Sequence, residues 1–316
     1  MPNWIAKFGY GEFIHLEHRN CKACMMKGDQ FFREVESNCF DGSVRISDMD
    51  ATNVDRQVLS TIPVLFNYWA KAKDALETSR FFNDHIAATV ANNPKRFIGI
   101  GTVPLQDVDM AIKEMQRCLT ELKFPGLEIG TNVNGKNLND PALFPFYEAA
   151  EKLNCALFIH PWDMFGQQDI QQYWLPWLVG MPAETARAIC SLIFGGVFER
   201  FPLLRIAFAH GGGSFPYTIG RIEHGFNVRP DLVQTDNPVN PRNYLGKFWV
   251  DSLVHDERTF QYLREAVSDN NICLGSDYPF PLGEELPGAL IESLQLETAV
   301  REKLLYKNAL DWLGIQ

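Results

Sequence analysis

Three short apolar runs in this chain end at a residue able to bind a metal or move a proton. Residues 156–160 (ALFIH) end in His160, residues 205–209 (RIAFA) lead directly into His210, and residues 271–277 (NICLGSD) end in Asp277. A short apolar run bounded by turn formers reads as a strand of a buried parallel sheet. The carboxyl ends of such strands are where α/β enzymes place reacting groups. Taken alone, His210 is as readily a buried structural histidine as a catalytic one. Two imidazoles and a carboxylate repeated at the same end of three strands form a nitrogen and oxygen donor set that suits zinc or a similar divalent ion. Such an ion lowers the pKa of bound water from about 15.7 toward about 7, and a neighbouring imidazole with a reference pKa of about 6.5 exchanges protons with it near neutrality.

The elements that must hold these groups are legible around them. After His210, the glycines at 211, 212 and 213 let the backbone turn where a side chain would obstruct. Ser214 is expected to offer its oxygen to the free N–H groups of a helix starting near Phe215, with Pro216 in the first turn. Elsewhere strand and helix alternate. Strands are expected to begin at Gln57, Phe97, Gly126, Ala156, Arg205, Lys247 and Asn271, and helices over 44–53, 74–92, 107–122, 141–153, 182–198, from Ser214 to Gly225, and from Glu285 onward. Alternation of this kind predicts a parallel sheet, and at 316 residues the (β/α)₈ TIM-type barrel is the natural solution. The expectation is one barrel domain over 1–316. Residues 1–43 form an irregular segment that contributes part of the pocket.

Composition narrows the partners. Asp and Glu total 39 against 29 Lys and Arg, a net charge of −10 that argues against nucleic acid and against an anionic membrane surface. The longest apolar stretch, 175–198, is broken by Glu184, Thr185 and Arg187, and the first residues lack the basic and apolar regions of a signal peptide, so a cytosolic protein is expected. Cys118, Cys155, Cys190 and Cys273 lie in apolar segments and read as free thiols. The run from His15 to Cys24 has an H-x-x-H-x-x-C-x-x-C spacing. Its ligands are spread continuously instead of in two separated pairs, so it reads as a surface segment and not as a zinc module.

Residues 159–166 (IHPWDMFG), 173–185 (YWLPWLVGMPAET), 209–222 (AHGGGSFPYTIGRI) and 274–284 (LGSDYPFPLGE) resemble the metal-dependent amidohydrolase superfamily, and within it the non-oxidative decarboxylases. The resemblance implies a zinc-dependent carboxy-lyase of tryptophan breakdown by the kynurenine route, acting on a dicarboxylate semialdehyde. It implies that His160 and Asp277 bind Zn²⁺ and that His210 is the catalytic acid and base. Arg33 would bind a substrate carboxylate, with Lys27, Trp177 and Phe280 lining the pocket. Arg221 lies seven residues beyond Ser214, about 10 Å along a helix, too far for its own site. The resemblance places it in the pocket of a partner subunit and so implies a homodimer. Asp163 and Asp251 are candidates to hold these groups by hydrogen bonds, and His255 is a candidate to face the pocket. The superfamily carries an H-x-H pair of metal ligands on its first strand, and this sequence contains no H-x-H. With seven strands where a closed barrel needs eight, the expectation is a barrel lacking its first strand and a weakened metal site. Two alternatives accompany it: a metal-poor, catalytically silent dimer partner that donates Arg221, and another amidohydrolase-type hydrolase.

Overall fold

The computed structural model describes residues 1–19 and 22–315. A short helix, α1 (Trp4–Phe8), precedes three antiparallel strands, β1 (Ile14–Arg19), β2 (Lys22–Lys27) and β3 (Gln30–Glu36). The expectation of an irregular segment over 1–43 is therefore corrected. The middle of β2 is buried at three successive residues, Ala23, Cys24 and Met25, so the polar and apolar alternation that advertises a strand is missing. Ile14, Ala23, Met25 and Val35 of this sheet pack against Ile62, Val64 and Leu65, which follow the first strand of the main sheet.

Helix α2 (Gly42–Ala51) leads to β4 (Gln57–Leu59). Then come α3 (Ala72–Asn92), β5 (Phe97–Gly99), α4 (Val108–Thr120) and β6 (Gly126–Gly130). A two-residue pairing of β7 (Asn132–Val133) with β8 (Lys136–Asn137) precedes α5 (Phe144–Lys152) and β9 (Ala156–His160). Helix α6 (Met181–Phe194) stops at Gly195, where one long helix was expected; Gly196 adopts φ +68°, and α7 (Val197–Arg200) starts afresh. The rest is β10 (Arg205–Phe208), α8 (Phe215–Val228), α9 (Pro230–Val233), β11 (Trp249–Asp251), α10 (Glu257–Val267), β12 (Ile272–Cys273) and a helical tail, α11 (Ala289–Ser293), α12 (Thr298–Glu302) and α13 (Asn308–Leu313).

The seven expected strands are all present and parallel. Strand β4 pairs with β5, a bridge between Gly101 and Leu127 joins β5 to β6, and the order continues β6, β9, β10, β11, β12. Among the described residues β4 and β12 do not pair with each other, so the hydrogen-bonded ring is not closed. Residues of both nevertheless line one cavity of about 1390 Å³, Leu59 on β4 and Cys273 on β12. The succession curls around that space.

Alternation along each strand divides the core. Leu127, Ile129, Leu157, Ile159, Ile206 and Phe208 face the helices and belong to the main cluster. Their neighbours Ile98, Ile100, Ala156, Phe158, Ala207 and Trp249 face the space inside the sheet, together with Trp312 and Leu313 of α13. Both faces are apolar, as parallel strands require, and this is why the runs read as continuous hydrophobics.

Phe248 is fully buried at the entrance to β11 and packs against Phe198, Phe208 and Phe215, with ring centroids at 5.9, 5.2 and 6.1 Å. Phe208 ends β10 and Phe215 begins α8, so this ring braces both ends of the turn that carries His210. Replacing it with alanine is expected to lower stability by about 3–5 kcal/mol, read as a lower urea midpoint with an unchanged slope.

Candidate active site

His160 is the last residue of β9. Its Nδ1 lies 3.1 Å from the Pro161 carbonyl oxygen. A carbonyl only accepts, so Nδ1 carries the hydrogen and Nε2 keeps its lone pair free for a cation.

His210 follows β10 at φ +57°, and the three glycines after it are also left-handed, at +62°, +76° and +61°. At Gly213 no other residue is tolerated, since a Cβ would sit 2.3 Å from the Pro182 carbonyl oxygen. Ser214 does not cap α8 as expected. Its hydroxyl donates to Pro182 O at 3.3 Å and its backbone N–H donates to the same oxygen at 3.0 Å, so the turn is pinned to α6 instead. The larger anchor is Asp251, at the end of β11. One carboxylate oxygen accepts the N–H of His210 at 2.8 Å, and the other accepts those of Gly211 at 2.9 Å and Leu253 at 3.0 Å. Gly275 leaves the room it needs, because a Cβ there would lie 2.6 Å from that of Asp251.

Asp277, at φ +50°, completes the group. One donor atom each from His160, His210 and Asp277 lies within 4.8 Å of the others, and among the described residues this is the one such cluster. The two imidazoles meet edge to face at 4.9 Å. Among the described residues the run beginning at His15 forms no such cluster: His15 is level with Met26 and Cys24 with Glu17, while Cys21 and the His18 side chain lie outside the described residues.

Removal from water dominates the electrostatics. It depresses His160 to about 3, helped by the neighbouring His210, and His210 to about 4, helped by His255. Both rings are therefore neutral at physiological pH. The same desolvation raises Asp277 to about 7, with Asp251 adding to the shift and Arg33 opposing it. Asp251 rises to about 6 despite the three N–H donors that favour its charged form.

The three groups form the floor of a pocket of about 410 Å³, a size suited to a small ligand. Trp177 and Phe280 line it, as expected, and the Arg33 guanidinium lies 5.0 Å from the centre of the Phe280 ring. Trp174, Leu178 and Val64 make its walls apolar. Lys27 is not brought in: it sits exposed at the end of β2, in an ion pair with Glu12 at 2.8 Å. Arg221 is exposed on α8, one turn beyond Tyr217, which does line the pocket. Asp163 holds the Gln167 amide at 2.9 Å and does not reach the cluster, whereas His255 lines the pocket at φ +60°. Sequence reasoning missed Glu128. It faces the interior from β6, and its signal was a lone charge inside the otherwise apolar, fully buried run Gly126–Gly130.

A parallel sheet with two histidines and an aspartate converging at its carboxyl end is the arrangement of a metal-dependent amidohydrolase, and the chain belongs to the amidohydrolase family, whose model matches residues 14–315. It is 58% identical to the 2-amino-3-carboxymuconate-6-semialdehyde decarboxylase of Dictyostelium discoideum, over 99% of this chain and 88% of that one. The Caenorhabditis elegans protein of the same name is 38% identical, over 100% of this chain and 91% of its own. Among solved structures, the 5-carboxyvanillate decarboxylase of Novosphingobium aromaticivorans, complexed with manganese and a nitrobenzoic acid, superposes with a TM-score of 0.78 at 25% identity, over 86% of this chain and 80% of that one.

Two measurements check this geometry. Asp251→Asn sets an amide N–H₂ against backbone N–H groups and is expected to destabilise the protein by about 1–3 kcal/mol, read by urea unfolding. His210 titrates near 4 when folded against 6.5 when free, so between these values the unfolded chain binds a proton that the folded chain does not. Its contribution is present above about pH 6.5 and is lost as pH falls toward 4. The stability difference between the metal-free wild type and His210→Gln is therefore expected to shift in favour of the wild type as pH rises through that window, and to level off above it.

Proposed function

We propose that this chain catalyses the non-oxidative decarboxylation of 2-amino-3-carboxymuconate 6-semialdehyde to 2-aminomuconate 6-semialdehyde. This is a cytosolic step of tryptophan breakdown by the kynurenine route, and it limits quinolinate and NAD synthesis. The observation that carries the reading is the meeting of His160, His210 and Asp277 beneath an apolar mouth with a single guanidinium, Arg33, in its wall. The identity to the Dictyostelium decarboxylase extends over nearly the whole chain and supports the choice of substrate.

His160 and Asp277 fit a divalent cation. Nε2 is left free by the Pro161 bond, and an imidazole with a carboxylate is the donor chemistry of Zn²⁺ sites. Bound there, Zn²⁺ would supply Lewis acidity and would lower the pKa of a water in the pocket. The side chains do the rest. Arg33 presents a planar fork to a substrate carboxylate and is oriented by the Phe280 face. The apolar Trp174, Trp177 and Leu178 side chains lower the polarity beside the substrate, which disfavours a carboxylate relative to neutral carbon dioxide. As the carbon–carboxylate bond breaks, its electron pair stays on the chain carbon that carried the carboxylate, and His210 delivers the proton that this carbon takes up. Neutral in its resting state, the imidazole first accepts that proton from a water in the pocket, and once charged in a desolvated site it gives it up more readily than a free imidazolium.

The active unit in this reading is a homodimer. Arg221 is an exposed cation on α8, one turn beyond Tyr217, which stacks on Tyr262, and it completes the carboxylate site of the neighbouring subunit.

Zinc-loaded protein is expected to release carbon dioxide from the semialdehyde without consuming oxygen, and His210→Ala to lower kcat by about 10²–10⁴; an unaltered His210→Ala rate would refute the assignment. Arg33→Ala is expected to raise KM about 10- to 100-fold, followed by the loss of substrate absorbance. Mixed His210→Ala and Arg221→Ala subunits are expected to regain about a quarter of wild-type activity through heterodimers holding one intact site. No rescue in the mixture would place Arg221 outside the pocket.

A further inference from the structure

Glu128 is 1% exposed, in the middle of β6, and its Oε2 has no hydrogen-bond partner. The other oxygen is bonded by the Ser60 side chain just after β4, and among the described residues no cation offsets the charge. A buried carboxyl without a counter-charge is costly to ionise, and ionised carboxylates in such places are normally paired or bound to a metal.

Strand register shows where this carboxylate looks. Glu128 is level with Phe158, which faces the space inside the sheet, and Gly130 is level with His160. Glu128 therefore stands one inward-facing step below His160, about 6–7 Å along the strand, on a side chain with three rotatable bonds. It lines the same cavity as His160, His210 and Asp277, and the charge of Asp277 makes its own ionisation costlier. A divalent ion held by His160 and Asp277 alone keeps a net positive charge in this space, since both imidazoles are neutral. A second carboxylate cancels it.

We propose that Glu128 is a further carboxylate donor to the cation bound by His160 and Asp277, supplied from β6 below the two. This rests on the reading of His160 and Asp277 as the cation site. Desolvation pushes the Glu128 carboxyl up to about 8 in the metal-free protein, as expected of a group whose counter-charge is a separate ion.

The test is direct titration of the protein with Zn²⁺ and with Mn²⁺ by calorimetry, together with the Mn²⁺ paramagnetic resonance spectrum, for wild type, Glu128→Gln and Asp277→Asn. Glu128→Gln keeps the shape and the Ser60 bond, and its metal-free form is expected to melt no lower than wild type. It is expected to bind either ion at least about tenfold more weakly, with an altered resonance spectrum. Affinity within twofold of wild type for Glu128→Gln, alongside a large loss in Asp277→Asn, overturns the role of Glu128 and leaves the site intact. Undiminished affinity in both variants overturns the site itself. If Glu128→Gln does not fold, Glu128→Asp keeps the charge one methylene further back; the same weakening supports the proposal, and unchanged affinity overturns it.

Discussion

One carboxylate fastens three strand ends together. Asp251 closes β11, accepts the backbone N–H groups that begin the His210 turn after β10, and fits into the gap left by Gly275 on the way to Asp277 after β12. The turn it holds is left-handed at four successive residues, a conformation that is unfavourable for histidine and stable only when surrounding bonds fix it. Hydrogen bonds to a charged acceptor are roughly twice as strong as neutral ones, so Asp251 is well suited to keep the imidazole edge to face with His160. The aromatic packing around Phe248 and the two bonds to Pro182 brace the same turn from behind.

Rigidity is obtained here by withdrawing ionisable groups from water. His160 and His210 become neutral, while Asp251, Asp277 and Glu128 are all raised. Arg33 and the backbone N–H groups at Asp251 offset only part of the cost of ionising these carboxyls, and an added cation would offset more. Binding is then coupled to proton release and to stability. The same desolvation favours loss of a substrate carboxylate as neutral carbon dioxide, so one physical condition serves both metal capture and the proposed chemistry.

The amino-terminal antiparallel sheet has a different task. It packs on Ile62, Val64 and Leu65 and so brings Phe32 and Arg33 over the mouth of a pocket whose floor is made by the parallel strands. Lys27, on the adjacent strand, is carried to the far end of the hairpin and satisfied by Glu12. Six residues of separation thus decide whether a basic side chain lines the pocket or faces solvent.

Much was legible in the sequence for local reasons. Apolar runs buried on both faces announce parallel strands wherever they fold, so all seven strands were found; β6 and β9 span their whole runs, while the other five are shorter because the chain leaves the sheet early to form loops. His160, His210 and Asp277 stood out because each ends such a run, and the glycine turn because no other residue tolerates its backbone. Other features were decided between segments far apart in the chain. Whether Asp251 touches the His210 turn, whether Glu128 faces inward, and whether Ser214 caps α8 or bonds to Pro182 depend on the register of one strand against the next and on which helix lies behind. The antiparallel sheet escaped notice because its middle strand is covered on both faces and loses its period. Side-chain type and turn chemistry are written residue by residue, and the sequence by itself determined them; the meeting of groups from five different strands is a property of pairing and packing, and only the tertiary structure decided it.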